Sequence, residues 1–224
     1  MTNPTLVSST DGVGTKTEYV IGKLGIKEGL RSLGHDIVNH SINDIIVKGS
    51  RPLYFLDYVA SSKIDSDSIQ YLVEGISDAC RKAQVVLLGG ETAEMPGVYN
   101  NNCYDIVGTI VGIIDKCNIL NGKETIKEND LVYGIKSSGP HTNGYSLARN
   151  VLLNKFKIDD YIEDLGCTVA ESLLAIHKSY LQPLLPIINN ENLHALSHVT
   201  GGGIIANTLR VIDKKNEIFI EEKM

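Results

Sequence analysis

DIVNHSINDIIVKGSRPLYFLDYVA, residues 36–60, is the stretch on which the fold turns. Ile37, Val38, Ile42, Ile45 and Ile46 recur at helical spacing, so residues 36–48 predict a helix with one apolar stripe. Asn43 and Asp44 fall beside that stripe, and polar groups placed there require a reason. Pro52 then opens a continuous strand-like run, residues 53–59, with a single carboxylate, Asp57, embedded in it.

Outward from this helix–strand pair the alternation continues. A helix capped near Asp65 or Asp67 carries Ile69, Leu72, Val73, Ile76, Ala79 and Cys80 on one face. Residues 85–88 predict a buried strand that runs into Gly89-Gly90-Glu91-Thr92, and residues 104–114 predict another. Toward the N-terminus, residues 6–9 form a short strand that delivers Thr10, Asp11 and Gly12 to a glycine-rich bend. The polar stretch 115–130 marks a boundary, giving an N-terminal domain over 1–125 and a second over 126–224. In the second, residues 131–136 predict a strand, 137–140 a turn, 143–153 a helix, 197–203 a glycine-rich strand-to-helix junction, 204–212 a helix and 217–220 a last strand. The class is α/β or α+β, in two layered domains.

Of the 224 residues 42% are hydrophobic, enough to bury one or two cores without metals or disulfides. No apolar run reaches the length of a membrane span, and the opening MTNPTLVSSTDG lacks a signal-peptide layout, so a cytoplasmic protein is expected. The net charge of −6 and the scattered lysines and arginines argue against nucleic acid as a partner while leaving ATP open. Cys80, Cys103, Cys117 and Cys167 show no metal-binding spacing and read as buried thiols in a reducing compartment.

Three element ends present acidic residues: Asp11 in STDGVGTK, Asp44 in NDIIVKGS and Glu91 in GGETAEM. Singly each is ordinary turn or cap chemistry. Together they form a plausible Mg²⁺ set, because that ion takes oxygen ligands and bridges one or two carboxylates to phosphates. Gly12, Gly14, Thr15 and Lys16 are phosphate-handling in kind, although neither GxxxxGK[ST] nor GxGxxG spacing is present. SSGPHTNGYSLAR places Ser138, His141, Thr142 and Asn143 where a helix begins, as a capped helix or an anion-binding turn; His141 is an acid–base candidate or a solvent-facing loop residue. His198, Thr200, Gly201, Gly202 and Gly203 form a second candidate anion nest or a flexible turn. Asp57 faces a cleft or lies on an edge strand.

Taken in order, LVSSTDGVGTK, VNHSINDIIVKGSRPLYFLDYVA, LLGGETAEMPGVY, YDIVGTIVGI, SSGPHTNGYSLAR and SHVTGGGIIANTLRVI closely resemble the phosphoribosylformylglycinamidine cyclo-ligases, also called aminoimidazole ribonucleotide synthetases. The resemblance spans nearly the whole chain. It implies a homodimer whose N-terminal domains pair their mixed sheets into a barrel, with an α/β second domain closing the cleft. It also implies ATP and Mg²⁺ as cofactors and formylglycinamidine ribonucleotide as substrate. ATP phosphorylates the formyl-amide oxygen, an internal nitrogen attacks, and phosphate leaves as the imidazole closes. On that reading Asp11, Asp44 and Glu91 hold Mg²⁺; Thr15, Lys16, Asn43 and Gly90 contact the nucleotide; Asp57 and His141 are catalytic. Ser138, Gly139, Asn143, Thr200, Gly201, Gly202 and Gly203 bind substrate. Family members carry a glycine-rich segment before the first strand and continue past the GGG helix, so this chain is expected to lack an ATP lid and part of the second domain. The alternative is a non-catalytic remnant or subunit that dimerises and binds nucleotide. Another ATP-using activator from the wider superfamily ranks below both.

Overall fold

The computed structural model describes residues 1–219. Strand β1 (Pro4–Gly12) leads through a turn at Gly14 into helix α1 (Lys16–Ile46), which is interrupted at Gly25, where φ is 76°. Strand β2 (Arg51–Ser61), helix α2 (Ser66–Ala83), strand β3 (Val86–Glu94) and strand β4 (Tyr104–Asp115) follow. The sheet order is β1-β4-β2-β3, antiparallel except for the β2–β3 pair. This is the expected mixed α/β architecture.

Both long helices lie on one face of the sheet. Along β4 the side chains alternate: Ile106, Ile110 and Ile114 are buried, while Val107, Val111 and Ile113 are half-buried on the opposite face. Gly108 and Gly112 share the buried face. A Cβ at Gly108 would sit 2.8 Å from Ile37 Cγ1, and one at Gly112 would sit 2.7 Å from Ile45 Cδ1. Eight helical residues rise about 12 Å and four strand residues about 13 Å, so α1 runs along β4 with each isoleucine seated over a glycine.

The two helices touch through glycines of their own. A Cβ on Gly75 would fall 2.1 Å from the Arg31 carbonyl oxygen, and one on Gly34 would fall 2.6 Å from that of Leu72. Helix α2 starts at Asp65, whose carboxylate accepts from Ser68 N at 2.9 Å, a cap worth about 1 kcal/mol. It ends at Gln84 in the left-handed region, φ 57°.

Several expected elements differ. The strand at 85–88 is an exposed edge rather than a buried strand: Val86 and Leu88 are about 60% exposed (59% and 61%), and β3 runs on through Gly89 to Glu94. No strand forms at 131–136 or 197–200, because no neighbouring segment among the described residues pairs with their backbone groups. Leu131, Val132 and Tyr133 are exposed there. The expected strand at 217–220 is absent over 217–219, and Ile220 lies outside the described residues. The later chain holds helices α3 (Gly122–Thr125), α4 (Tyr145–Lys155), α5 (Val169–Leu174), α6 (Leu181–Leu184) and α7 (Gly203–Thr208). A hairpin pairs β5 (Tyr161–Ile162) with β6 (Cys167–Thr168). Of the four thiols only Cys80 is buried; burial pushes it up to about 12.

The glycine contact between α1 and α2 is testable. Gly75→Ala should cost about 1–3 kcal/mol by overpacking, whereas Gly22→Ala, with no atom within 4 Å of the added methyl, should be neutral or slightly stabilising. Urea midpoints of the two variants measure the difference, and equal midpoints would refute the close approach.

Candidate active site

The turn after β1 sends Lys16 inward. Its side chain has no solvent exposure, and its Nζ donates to Asp36 Oδ1 at 2.9 Å and to the Ala175 carbonyl at 2.8 Å, with Asp36 Oδ2 at 2.8 Å. The first two are aligned hydrogen bonds, while Asp36 Oδ2, though close, has no aligned partner. Asp36 also accepts the His177 backbone N–H at 2.7 Å. Burial drives the Asp36 carboxyl up and the Lys16 ammonium down, and each charge opposes the shift of the other. Lys16 therefore anchors Asp36 and the Ala175 carbonyl, and the nucleotide contact expected of it would require this enclosed pair to open.

Asn43, also expected to contact nucleotide, is likewise held by protein groups. It is 1% exposed; its amide donates to the Lys178 carbonyl at 2.8 Å, and its oxygen accepts the Tyr180 N–H at 2.9 Å. Asn39 donates to the His177 carbonyl at 2.7 Å. Asp36, Asn39, His40, Asn43 and Asp44 stand three or four residues apart, on one helical face. That face fastens residues 175–180 through their backbone, which is why polar groups sit beside the apolar stripe.

At the end of the same face lies a polar cluster. His40, with a side chain 1% exposed, places Nε2 3.0 Å from Asp11 Oδ2 and 3.7 Å from Asp44 Oδ2, while its Nδ1 bonds the Thr142 hydroxyl. Asp44 bonds His198 Nδ1 at 2.8 Å and accepts from the Ser9 hydroxyl at 2.9 Å. The adjoining His40 ring holds the Asp11 carboxyl below its usual range. His177 Nε2 lies 3.1 Å from the Asn43 amide and its Nδ1 3.3 Å from Thr142 Oγ1. His141, at φ 61°, stacks on His177 with ring centroids 4.1 Å apart. Burial pushes His141 down to about 4 and His177 lower still, so both rings are neutral at pH 7. A neutral His141 accepts a proton or hydrogen bond rather than serving as a ready acid.

The loops expected to hold substrate converge beside this cluster. Ser138 donates through its hydroxyl to the Ile176 carbonyl at 2.7 Å, and Gly139 packs so that a Cβ would lie 2.6 Å from the Ser172 carbonyl. A Cβ on Gly201 would lie 3.3 Å from Asn143 Oδ1, which brings SSGPHTNGYS and TGGG together. The Thr200 hydroxyl donates to Asn207 Oδ1 at 3.1 Å, and Asn207 donates to the Gly203 carbonyl at 2.8 Å; Gly202 precedes α7. Thr15 reaches the Ser146 hydroxyl at 3.1 Å.

Asp57, Gly90 and Glu91 stand apart. Asp11, Gly108, Asp57 and Gly90 occupy one row across β1, β4, β2 and β3. At about 4.8 Å per strand, Asp57 is about 10 Å from Asp11 along that row. Asp57 is half-buried near Cys80, its carboxyl raised by burial, and a Cβ on Gly90 would come 2.5 Å from its Oδ1. Glu91 is exposed on the edge strand, its carboxylate accepting from Thr92 N at 2.9 Å. The structure thus brings Asp11 and Asp44 together and leaves Glu91 outside their cluster. Sequence reasoning missed Asp36, His40 and His177. The i, i+4 spacing of His40 and Asp44 was the available signal; His177 carried none.

The layered arrangement is shared with known proteins. The chain superposes on thiamine-monophosphate kinase from Stenotrophomonas maltophilia with a TM-score of 0.59 at 14% identity, covering 83% of this chain and 54% of that one. The corresponding kinase from Aquifex aeolicus gives 0.53 at 16% identity, over 83% and 56%. These likenesses define a fold class. Within it, residues 1–114 match the AIR synthase related protein N-terminal domain and residues 127–223 the corresponding C-terminal domain, and the chain belongs to that family. A phosphoribosylformylglycinamidine cyclo-ligase of Desulfatibacillum aliphaticivorans is 42% identical over 98% of this chain and 62% of its own length. One from Clostridium perfringens is 44% identical over 95% and 61%. The chain spans about three-fifths of the length of these relatives.

Two outcomes follow from the buried groups. Lys16→Met should lower the unfolding free energy by about 3–5 kcal/mol, because it leaves Asp36 buried without its partner. A change in nucleotide affinity at unchanged stability would overturn that role. For His141, the folded value of about 4 lies below the ordinary imidazole value of 6.5, so the unfolded chain binds the extra proton. Stability should therefore fall as pH drops from about 6.5 toward about 4. Thermal melts across that window should show a shallower slope in His141→Gln.

Proposed function

We propose that this chain carries out, or forms the greater part of, the ATP-dependent closure of formylglycinamidine ribonucleotide to aminoimidazole ribonucleotide. The observation that carries this reading is the convergence of Asp11 and Asp44 with the 138–143 and 200–203 loops at one end of α1, in a chain 42% identical to a named cyclo-ligase. The reaction moves the γ-phosphoryl group of ATP to the formyl-amide oxygen. The internal amine nitrogen then attacks the activated carbon, and inorganic phosphate leaves with that oxygen as the ring closes.

Such chemistry depends on positioning and charge neutralisation rather than on a protein nucleophile. Asp11 and Asp44 are suitable oxygen donors for Mg²⁺, which when bound would neutralise phosphate charge. Asp11 is half-exposed and its carboxyl is held below the usual range, so it is ionised at neutral pH. Glu91 belongs to the same proposed set but sits on the edge strand, where a closed or assembled form must carry it to the ion. Thr15 and Gly90 remain proposed nucleotide contacts. Ser138, Gly139, Asn143, Thr200, Gly201, Gly202 and Gly203 are proposed to hold the substrate, with neutral His141 as proton acceptor. Asp57, its carboxyl raised by burial, is the second proposed catalytic group. A boundary after residue 125 is supported by the limits of the two family matches.

The uncovered sheet face, with Val107, Val111 and Ile113 half-buried and Leu6 exposed, supports homodimerisation through paired sheets. Among the described residues no helix is long and apolar enough to cross a membrane, and a cytoplasmic setting accords with the proposed purine chemistry.

Phosphate release from ATP and Mg²⁺, with and without formylglycinamidine ribonucleotide, tests the activity. Substrate-dependent release is expected; ATP binding without release would identify a binding subunit instead. For the assembly, Val111→Asp should shift the sedimenting species from dimer to monomer while the far-ultraviolet circular dichroism is kept.

A further inference from the structure

Two groups of imidazoles meet beside Asp44, and they differ in what they leave free. Ring nitrogens of His141, His177 and His198 lie within 4.8 Å of one another, but both nitrogens of His177 face protein partners, the Asn43 amide and the Thr142 hydroxyl. In the second group, ligand atoms of His40, Asp44 and His198 also lie within 4.8 Å of one another, and here one nitrogen of each ring is unspent. His40 Nε2 is enclosed and has no aligned hydrogen-bond partner, although Asp11 Oδ2 is 3.0 Å and Asp44 Oδ2 3.7 Å away. His198 Nε2 is likewise enclosed and unpartnered, on a side chain 9% exposed. A buried ring nitrogen left without a partner is costly unless something occupies its lone pair.

We infer that His40, Asp44 and His198, with Asp11 as a fourth donor, form a binding site for a divalent transition metal of the zinc type. Two imidazoles and two carboxylates are a donor set that suits Zn²⁺ better than Mg²⁺, which prefers oxygen alone. Tetrahedral ligands about 2.0–2.1 Å from an ion stand about 3.3 Å apart. Asp11 Oδ2 and Asp44 Oδ2 stand 3.0 and 3.7 Å from His40 Nε2, which brackets that value, and a ring nitrogen of His198 lies within 4.8 Å of the His40 and Asp44 donors, its Nδ1 bonded to the other Asp44 oxygen at 2.8 Å. The supporting contacts are also those of a metal site: the Thr142 hydroxyl holds His40 Nδ1, and the Ser9 hydroxyl donates to Asp44. Asp11, 46% exposed, leaves the site open to solvent on one side. The ion would share Asp11 and Asp44 with the proposed Mg²⁺–nucleotide, so Zn²⁺ and Mg²⁺–ATP should compete. The site itself does not depend on the ring-closure reading, because its binding is measured without ATP.

Equilibrium dialysis of the purified 224-residue chain against Zn²⁺, with bound metal counted by atomic emission, tests the site. One ion per chain is expected, and Co²⁺ in its place should show the visible absorption of a tetrahedral centre. His40→Gln and His198→Gln should each weaken Zn²⁺ binding at least tenfold, whereas His194→Gln, at a histidine paired with Asp130 instead, should not. Circular dichroism is recorded for every variant. If His40→Gln does not fold, Thr142→Val carries the test, since it keeps all four donors and should weaken binding by roughly 10–100-fold through lost ring orientation. No retained ion, or Zn²⁺ retained equally by the folded His40 or Thr142 variant, would overturn the proposal and leave His40 as an ion-paired histidine only.

Discussion

Lys16 and Asp36 face each other without solvent, twenty residues apart on the same interrupted helix, and the rest of the molecule is arranged around satisfying them. An isolated buried charge is far too costly to keep. The pair is kept because the backbone of residues 175–177 also bonds it, through the Ala175 carbonyl and the His177 N–H. The same bonds that make the ion pair tolerable hold the later chain against α1. Removing either charge therefore acts at a distance, on the segment that carries His177.

Helix α1 has two faces with different tasks. Its isoleucines seat over Gly108 and Gly112 of β4 and build the core. Its polar side carries Asp36, Asn39, His40, Asn43 and Asp44 in a line that first clamps backbone and then, at the C-terminal end, presents chemistry. Asp44, a proposed metal ligand, is thus held by a helix packed on the sheet, which is the condition for precise placement of reacting groups. The glycine contacts at Gly34, Gly75 and Gly108 set how near the layers come, and so where that line of polar groups meets Asp11 at the end of β1.

The electrostatics of the cluster follow from burial. His141 and His177 are stacked, enclosed and neutral, so they offer acceptors, while the His40 ring favours the charged form of Asp11. Asp57 lies in a different setting, under α2, where Gly90 leaves room for its carboxylate. Glu91, next to it in sequence on β3, is on the exposed edge. The acidic residues that look alike in the sequence therefore occupy three environments: a histidine-lined junction, a half-buried interface and an open strand.

The alternation of strand and helix through residue 115 was legible because each element there carries its own period, as with the stripe of Ile37, Ile42 and Ile45 or the Asp65-capped helix. The motifs also marked the right loops: the 138–143 and 200–203 stretches do meet. The strands expected at 131–136 and 197–200 did not form, since a strand pattern states only a preference and the backbone needs a partner to satisfy it. Val86 and Leu88 proved exposed because sheet order, which no local pattern encodes, put β3 at an edge. Lys16 and Asn43, expected as nucleotide contacts, bond other parts of the chain here, and His40 and His177 passed unremarked. Which polar side chain points at a ligand and which at another part of the chain depends on contacts between residues more than a hundred positions apart. The sequence by itself determined the elements, the family likeness and the acidic and glycine-rich loops. Only the tertiary structure decided the partners, because burial and charge pairing arise when distant segments share one low-dielectric interior.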